Sequence, residues 1–321
     1  MRRRVAAVAA VLGVVVAGCS GAPAPDTAPT SVAGTSPVPA TGLATALTWV
    51  TAADPAVIRV EYGDGAAVRE LVARNGRFVS LEGYGYGPLH AHSAALADII
   101  GVDPRKSRQA LRVTVVGERI GVLRSDFDVA AVNAKFEALS AQKGDSKDGV
   151  TSWLTGVDGA APGSPLARRE FAKAFNQVRV GPERFEHTTA ATAVSWTDDP
   201  GSSLLADRGL AGLARCLGEV TAALVQRPSY QPFVGAGVRV VDGKPSEVVC
   251  TPTRDAEAHL RRVRERLASP TWAAVFPGAT AEVPADQPDV VRVVAPDDGT
   301  LKIGRAAEAI GGGGELFTLV K

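Results

Sequence analysis

The sequence has almost no net charge and no long apolar run. It contains 35 basic and 34 acidic residues, a formal net charge of +1, and removal of the three arginines at positions 2–4 would make it −2. Without a basic surplus there is little to attract a phosphate backbone, so we expect no nucleic-acid partner. The 14 uncharged residues from Val5 to Gly18 would form a helix of about 21 Å. That is shorter than a bilayer core of about 30 Å, so a permanent membrane span is not expected there.

The motifs of common catalytic and metal sites are also missing. There is no G-x-S-x-G elbow and no H-E-x-x-H helix. Ser140-Ala141-Gln142-Lys143 matches S-x-x-K only by its letters, because it lies at the predicted C-terminal end of a helix. His90 and His92 would diverge on the helix predicted for 89–100, so we expect no metal site. We expect no catalytic residue and no cofactor, which argues against an enzyme without deciding the question.

Cysteine is scarce, and one of the three cysteines follows a distinctive start. Arg2-Arg3-Arg4 precedes the apolar run, which ends in Val16-Ala17-Gly18-Cys19. This pattern resembles the lipobox signal peptide of bacterial lipoproteins, with Val16 where the family prefers Leu. The resemblance implies that residues 1–18 are a signal peptide, that cleavage precedes Cys19, and that Cys19 carries a glyceride and an acyl group such as palmitate. It places the protein on the extracytoplasmic face of the cell membrane.

The other two cysteines are then left in an oxidising compartment. We predict a Cys216–Cys250 disulfide, which would close a loop of about 34 residues and stabilise the fold by about 3–4 kcal/mol. The alternative is two buried free thiols.

Residues 19–42 are rich in Pro, Ala, Thr and Ser. Such a composition buries too little apolar surface to offset the entropy of ordering, so a disordered tether is expected. Whether it is glycosylated is left open.

Apolar periodicity predicts an α+β fold, with mixed or antiparallel sheets packed against amphipathic helices. The clearest helices run over 129–139, for which Ser125-Asp126-Phe127-Asp128 offers cap residues, and over 255–268. Residues 145–149 are expected to form a polar loop and 315–320 a final strand.

A loop-like stretch at 156–165 suggests two lobes, 43–155 and 156–321. In each lobe a strand is followed by aspartate, Asp126 and Asp128 in the first and Asp255 in the second, and then by a helix. This internal similarity is typical of a repeat, and it is equally typical of any two capped amphipathic helices.

The glycine-rich segment 83–88 is the most unusual stretch of the sequence. Tyr84 and Tyr86 alternate there with three glycines before Pro88. The tyrosine rings are possible contacts for a glycan or an apolar ligand. Alternatively, the glycines allow positive φ while the tyrosines pack on the domain, and this second interpretation is favoured.

A basic helix is the remaining candidate surface. Its arginines suit anionic headgroups or a protein partner, but a solvated helix face is the favoured interpretation. These arginines are Arg254, Arg261, Arg262, Arg264 and Arg266.

The sequence therefore favours a membrane-anchored extracytoplasmic lipoprotein that acts by binding an envelope protein, a small molecule or a glycan. The first alternative is the solute-binding subunit of an importer, which predicts a cleft between two lobes. The second is an envelope enzyme with a dispersed active site, which predicts two close carboxylates, or a Ser or Thr beside a histidine.

Overall fold

The computed structural model describes residues 42–51, 57–116, 118–155, 172–189, 203–227, 232–311 and 316–320. The predicted signal peptide, Cys19 and the predicted tether up to residue 41 lie outside the described residues.

The described strands form one antiparallel sheet of 12 strands, in the order β11-β12-β10-β9-β8-β1-β2-β3-β7-β6-β5-β4. The strands are β1 Val57–Gly63, β2 Gln109–Val115, β3 Glu118–Arg124, β4 Gln142–Lys147, β5 Val150–Leu154, β6 Gln177–Val180, β7 Arg184–Thr188, β8 Ala222–Gln226, β9 Val234–Val241, β10 Lys244–Pro252, β11 Thr280–Glu282 and β12 Val290–Pro296.

Helices cover both faces of this sheet. They are α1 Gly42–Leu47, α2 Gly65–Arg74, α3 Ser93–Ile100, α4 Val129–Ala138, α5 Arg208–Leu217, α6 Ala256–Leu267, α7 Pro270–Val275, α8 Arg305–Gly311 and α9 Leu316–Val320. The predicted α+β class is confirmed. No helix in the described ranges combines the length and the apolar character that crossing a bilayer requires.

Alternation along the strands separates the buried residues into two layers. Leu111 of β2 packs in a cluster with residues of α1 and α5, whereas its neighbour Ala110 packs with residues of α3 and α4. Since successive strand residues point to opposite faces, α1 and α5 cover one face. Val248 and Val249 of β10 divide in the same way, the second packing with residues of α6, α8 and α9. We call the face that carries α3, α4, α6, α8 and α9 the second face.

The two halves of the sheet share one topology around the central antiparallel β1–β8 pair. In the first half β1 is followed by the hairpin β2–β3, helix α4 and a returning strand, β7, that pairs with β3. In the second half β8 is followed by the hairpin β9–β10, helix α6 and the returning strand β12. Asp128 and Asp255 cap the two helices, accepting hydrogen bonds from the backbone of Ala131 and Ala258. The internal similarity of the sequence thus corresponds to a repeated arrangement of strands and a capped helix.

The sheet is continuous across the predicted lobe boundary. β6 and β7 follow the boundary in sequence, yet they pair with β5 and β3, which precede it. The division of the chain into two lobes, 43–155 and 156–321, therefore stays a prediction.

Two local predictions are wrong. Residues 145–147, expected in a loop, belong to β4, in which all six residues are exposed. An edge strand with both faces in solvent has no apolar alternation by which to recognise it. Residues 316–320, expected as a strand, form α9, because four of the five side chains are buried in the layer next to α6.

The predicted disulfide is confirmed. Cys216 of α5 is bonded to Cys250 of β10, with the two Cα atoms 6.1 Å apart and a sequence separation of 34. Both side chains are buried between α5 and the face of the sheet that α1 and α5 cover. A structural disulfide of this kind is typical of proteins in oxidising, extracytoplasmic compartments.

Candidate functional site

The glycine-rich segment 83–88 lies directly on β1 and β2. Gly83, Gly85 and Gly87 all have positive φ, at 93°, 77° and 57°. A Cβ on Gly85 would overlap the carbonyl oxygen of Ala110, and one on Gly63 would overlap that of Tyr84. The glycines are therefore required both for the backbone conformation and for the close approach of the segment to the sheet.

The two tyrosines of this segment pack on the domain. Tyr86 is 6% exposed, and its ring stacks on that of His90 with centroids 6.4 Å apart. Burial raises the pKa of Tyr86 to about 12, and burial together with the charge of Glu247 raises the pKa of Tyr84. Both are neutral phenols at physiological pH. The structure thus shows both tyrosines packed on the domain. Contact of either ring with a ligand stays a prediction.

Two neighbouring cavities lie beside this segment on the second face. The first, which we call the basic cavity, has a volume of about 370 Å³. The second, the central cavity, has a volume of about 650 Å³. Arg112 and Pro88 line both. Volumes in this range suit small organic ligands.

The basic cavity combines cationic and apolar walls. Its basic and imidazole side chains are Arg112, Arg119, Lys173, His92 and His187. Its apolar walls are Tyr86, Pro88, Leu89 and Ala174. No carboxylate occurs among the described residues that line it. The cavity therefore has a positive electrostatic potential, which favours an anion.

One buried carboxylate holds Arg112 in place. Glu61 Oε1 lies 3.1 Å from Arg112 Nη1 and 2.8 Å from Arg59 Nε. Glu61 and Arg112 are cross-strand partners on β1 and β2. Since one negative charge is shared by two guanidinium groups, the cluster keeps a net positive charge.

His187 is a neutral imidazole in the wall of the basic cavity. Its Nδ1 lies 2.9 Å from the carbonyl oxygen of Ala174, so this nitrogen carries the proton and donates it. Burial lowers the pKa of His187 to about 4. Gly121 stands opposite on β3, and a Cβ there would overlap the imidazole Nε2. The glycine thus leaves room for the ring.

His90 and His92 diverge, as expected. His92 lines the basic cavity and His90 lines the central cavity. The described residues contain no group of three or more His, Cys, Asp and Glu side chains placed to hold a metal ion.

The basic helix is only partly a solvated face. Arg264 donates two hydrogen bonds to the carbonyl oxygen of Ala281 in β11, and Arg266 donates to that of Thr318 in α9. These two arginines therefore join α6 to its neighbours. Arg264 is still exposed and Arg266 is half-buried, so these two arginines contact neighbouring elements while part of each side chain stays in solvent.

Four of the side chains that line the basic cavity, Arg112, Arg119, Lys173 and His187, were not predicted from the sequence as functional residues. Arg112, Arg119 and His187 come from β2, β3 and β7 respectively, and Lys173 precedes β6. The one signal available was Arg112, a charged residue inside the apolar strand Ala110–Val113.

Comparison with known proteins adds little to this description. No protein-family model matches the chain, and no curated protein matches it. A solved structure, that of crystal form I of TP0453, is similar at a TM-score of 0.40 and 12% identity, covering 84% of this chain and 98% of the other.

Proposed function

We propose that the protein is a lipid-anchored, extracytoplasmic binding protein whose basic cavity holds a small organic molecule bearing a phosphate group. The observation that carries the proposal is the composition of this cavity: cationic side chains, an apolar wall and no carboxylate among its described lining residues.

The charges favour a phosphate over a singly charged group. Arg119 and Lys173 form no ion pair within the described part of the chain, and Arg112 shares its carboxylate with Arg59. Guanidinium groups match phosphate oxygens with parallel N–H donors. The dianion would thus meet up to three cations among the residues that line the cavity.

The apolar wall favours a ligand with an apolar body. Leu89 and Tyr86 are each at most 6% exposed, so they are fixed in place by their own packing. A ring or short chain placed against them gains roughly 25 cal/mol for each Å² removed from water. The phosphate group held by the cations and the apolar body of the ligand held by this wall would together give the ligand both affinity and a fixed orientation.

The anchor is part of the same proposal. A lipid on Cys19 would hold the cavity near the membrane surface, at the end of the tether of residues 19–42. The disulfide between Cys216 and Cys250 supports an extracytoplasmic location. Replacement of Cys19 by Ala should move the protein from the membrane to the soluble fraction, and the wild-type N-terminal peptide should carry acyl mass on Cys19. An unmodified Cys19 would contradict the anchor.

Neither alternative gains a specific observation. An importer subunit would have its binding site between two lobes. The cavities described above lie on one continuous sheet instead. Thr189 and His187 both line the basic cavity, as one form of the enzyme hypothesis requires. However, Thr189 Oγ1 accepts from the backbone N–H of Arg119 and His187 donates to the backbone of Ala174, so both side chains are bonded to the backbone.

Binding is tested by calorimetry on the full chain, kept in solution with a neutral detergent. Phenyl phosphate is the probe, and phenol and benzylamine are the controls with the same ring. We expect saturable binding of one phenyl phosphate per chain and at least tenfold weaker binding of both controls. Equal affinity for the three compounds would contradict the proposal.

A further inference from the structure

A third cavity lies at the other end of the second face. It has a volume of about 640 Å³ and lies among the first residues of β9, the last residues of β10, the first turns of α6, and α9. It shares no lining residue with the basic cavity or the central cavity. We call it the α6 cavity. The side chains that matter for its chemistry are Val234, Arg254, His259, Phe317 and Val320.

His259 presents a donor without an acceptor. Its side chain is 95% buried, since the residue is 5% exposed. Nδ1 lies 3.3 Å from Arg262 Nη2, and because arginine only donates, Nδ1 is the acceptor and Nε2 carries the proton. Nε2 has no hydrogen-bond partner among the described residues. A buried N–H in this state is costly, and an oxygen acceptor would relieve that cost.

Arg254 supplies a positive charge at the same cavity. It is exposed, it directly precedes the capping residue Asp255, and it has no ion pair within the described ranges. No carboxylate occurs among the described residues that line the α6 cavity. An anion there would therefore meet one guanidinium group and one neutral imidazole donor.

The rest of the α6 cavity is apolar. Val234, Phe317 and Val320 are at most 9% exposed, and Pro232 and Pro252 complete the wall. This surface suits a hydrocarbon chain or ring rather than a second charged group. One cation next to an apolar wall matches a singly charged amphipathic molecule.

We propose that the α6 cavity is a second binding site, which takes an organic monocarboxylate with an apolar body. The carboxylate lies between the Arg254 guanidinium and the Nε2–H of His259, and the body lies against Phe317, Val320 and Val234. This site is separate from the basic cavity and does not depend on the function proposed for it.

The experiment measures binding of 4-phenylbutanoate to the full chain in neutral detergent, with 4-phenylbutanol as the uncharged control. Arg254→Gln should raise the Kd for 4-phenylbutanoate at least tenfold. Arg261→Gln, an exposed arginine of the same helix outside the cavity, should change it less than twofold. The alcohol should bind at least tenfold more weakly than the carboxylate to the wild-type protein.

A spectroscopic measurement locates the carboxylate. With ¹⁵N-labelled histidine, saturating 4-phenylbutanoate should shift the Nε2–H resonance of His259 and leave the Nδ1–H resonance of His187 unchanged. The proposal is overturned if Arg254→Gln leaves the Kd unchanged, if the alcohol binds as tightly as the carboxylate, or if Arg112→Gln rather than Arg254→Gln abolishes binding. The last result would place the carboxylate in the basic cavity.

Discussion

Arg112 donates a hydrogen bond to Glu61 across the β1–β2 pair, with Nη1 3.1 Å from Oε1. The contact directs the guanidinium toward the boundary of the basic and central cavities, both of which Arg112 lines. Because Glu61 also contacts Arg59, the carboxylate keeps a partner when Arg112 is replaced.

The first prediction is that Arg112→Gln weakens binding of phenyl phosphate with little effect on folding. We expect the Kd to rise at least tenfold, or about 1.4 kcal/mol, because one of the three cations proposed to meet the phosphate is lost. Arg108→Gln is the matched control: Arg108 is exposed, pairs with Asp126 at 3.3 Å and lies outside both cavities. Calorimetry of both variants decides the point, and equal Kd changes would contradict it.

The second prediction concerns the pH dependence of stability through His187. Its pKa is about 4 in the folded protein, against about 6.5 in an unfolded chain. Between these values only the unfolded state binds the proton, so the free energy of unfolding falls as pH falls. From pH 6.5 to 5.0 the His187 contribution should be a loss of roughly 1.5 kcal/mol.

Urea unfolding at the two pH values measures this loss. His187→Gln keeps a donor for the Ala174 carbonyl but has no imidazole to protonate. Between pH 6.5 and 5.0 the variant should therefore lose less free energy of unfolding than the wild type, by roughly 1.5 kcal/mol. NMR titration of the His187 ring gives an independent reading. A ring that titrates near pH 6.5 would refute the prediction.

The third prediction tests the glycine segment. Gly85→Ala should lower the free energy of unfolding by roughly 2–4 kcal/mol, because φ is positive and the new Cβ would overlap the Ala110 carbonyl oxygen. Gly212→Ala is the control. Gly212 lies inside α5 with no atom within 4 Å of the added Cβ, and the change should stabilise by about 0.5–1 kcal/mol. Denaturation that shows the same effect for both variants would argue against close contact of the segment with β2.

The fourth prediction concerns the disulfide. Cys216→Ala combined with Cys250→Ala should lower the free energy of unfolding by about 3–4 kcal/mol, as expected for a closed loop of this length. Dithiothreitol should lower the stability of the wild-type protein toward that of the double variant and leave the double variant unchanged. Identical denaturation midpoints for oxidised and reduced wild type would contradict the prediction.

Local signals in the sequence were sufficient for the helices that carry caps. Asp128 and Asp255 precede α4 and α6, and both accept a backbone hydrogen bond three residues on. Capping depends on a few neighbouring residues, which is why it can be predicted from sequence alone. The disulfide was predictable for a different reason, since only two cysteines remained after Cys19.

The basic cavity depends instead on strand order. β7 pairs with β3 although four other elements lie between them in sequence, and this pairing brings His187 opposite Gly121. All five residues of β7 are buried, so no alternation indicates which of them face the cavity. Neither the pairing nor the facing residue is encoded by a local pattern.

The most direct test of the account is to locate phenyl phosphate on the folded protein. Nuclear Overhauser contacts should be measured between its ring protons and the methyl groups of the ¹³C-labelled full chain. The account predicts contacts to Leu89 and Ala174, which are lost in Arg112→Gln at the same ligand concentration. Contacts to Val320 instead, or binding with no contact to Leu89 or Ala174, would contradict it.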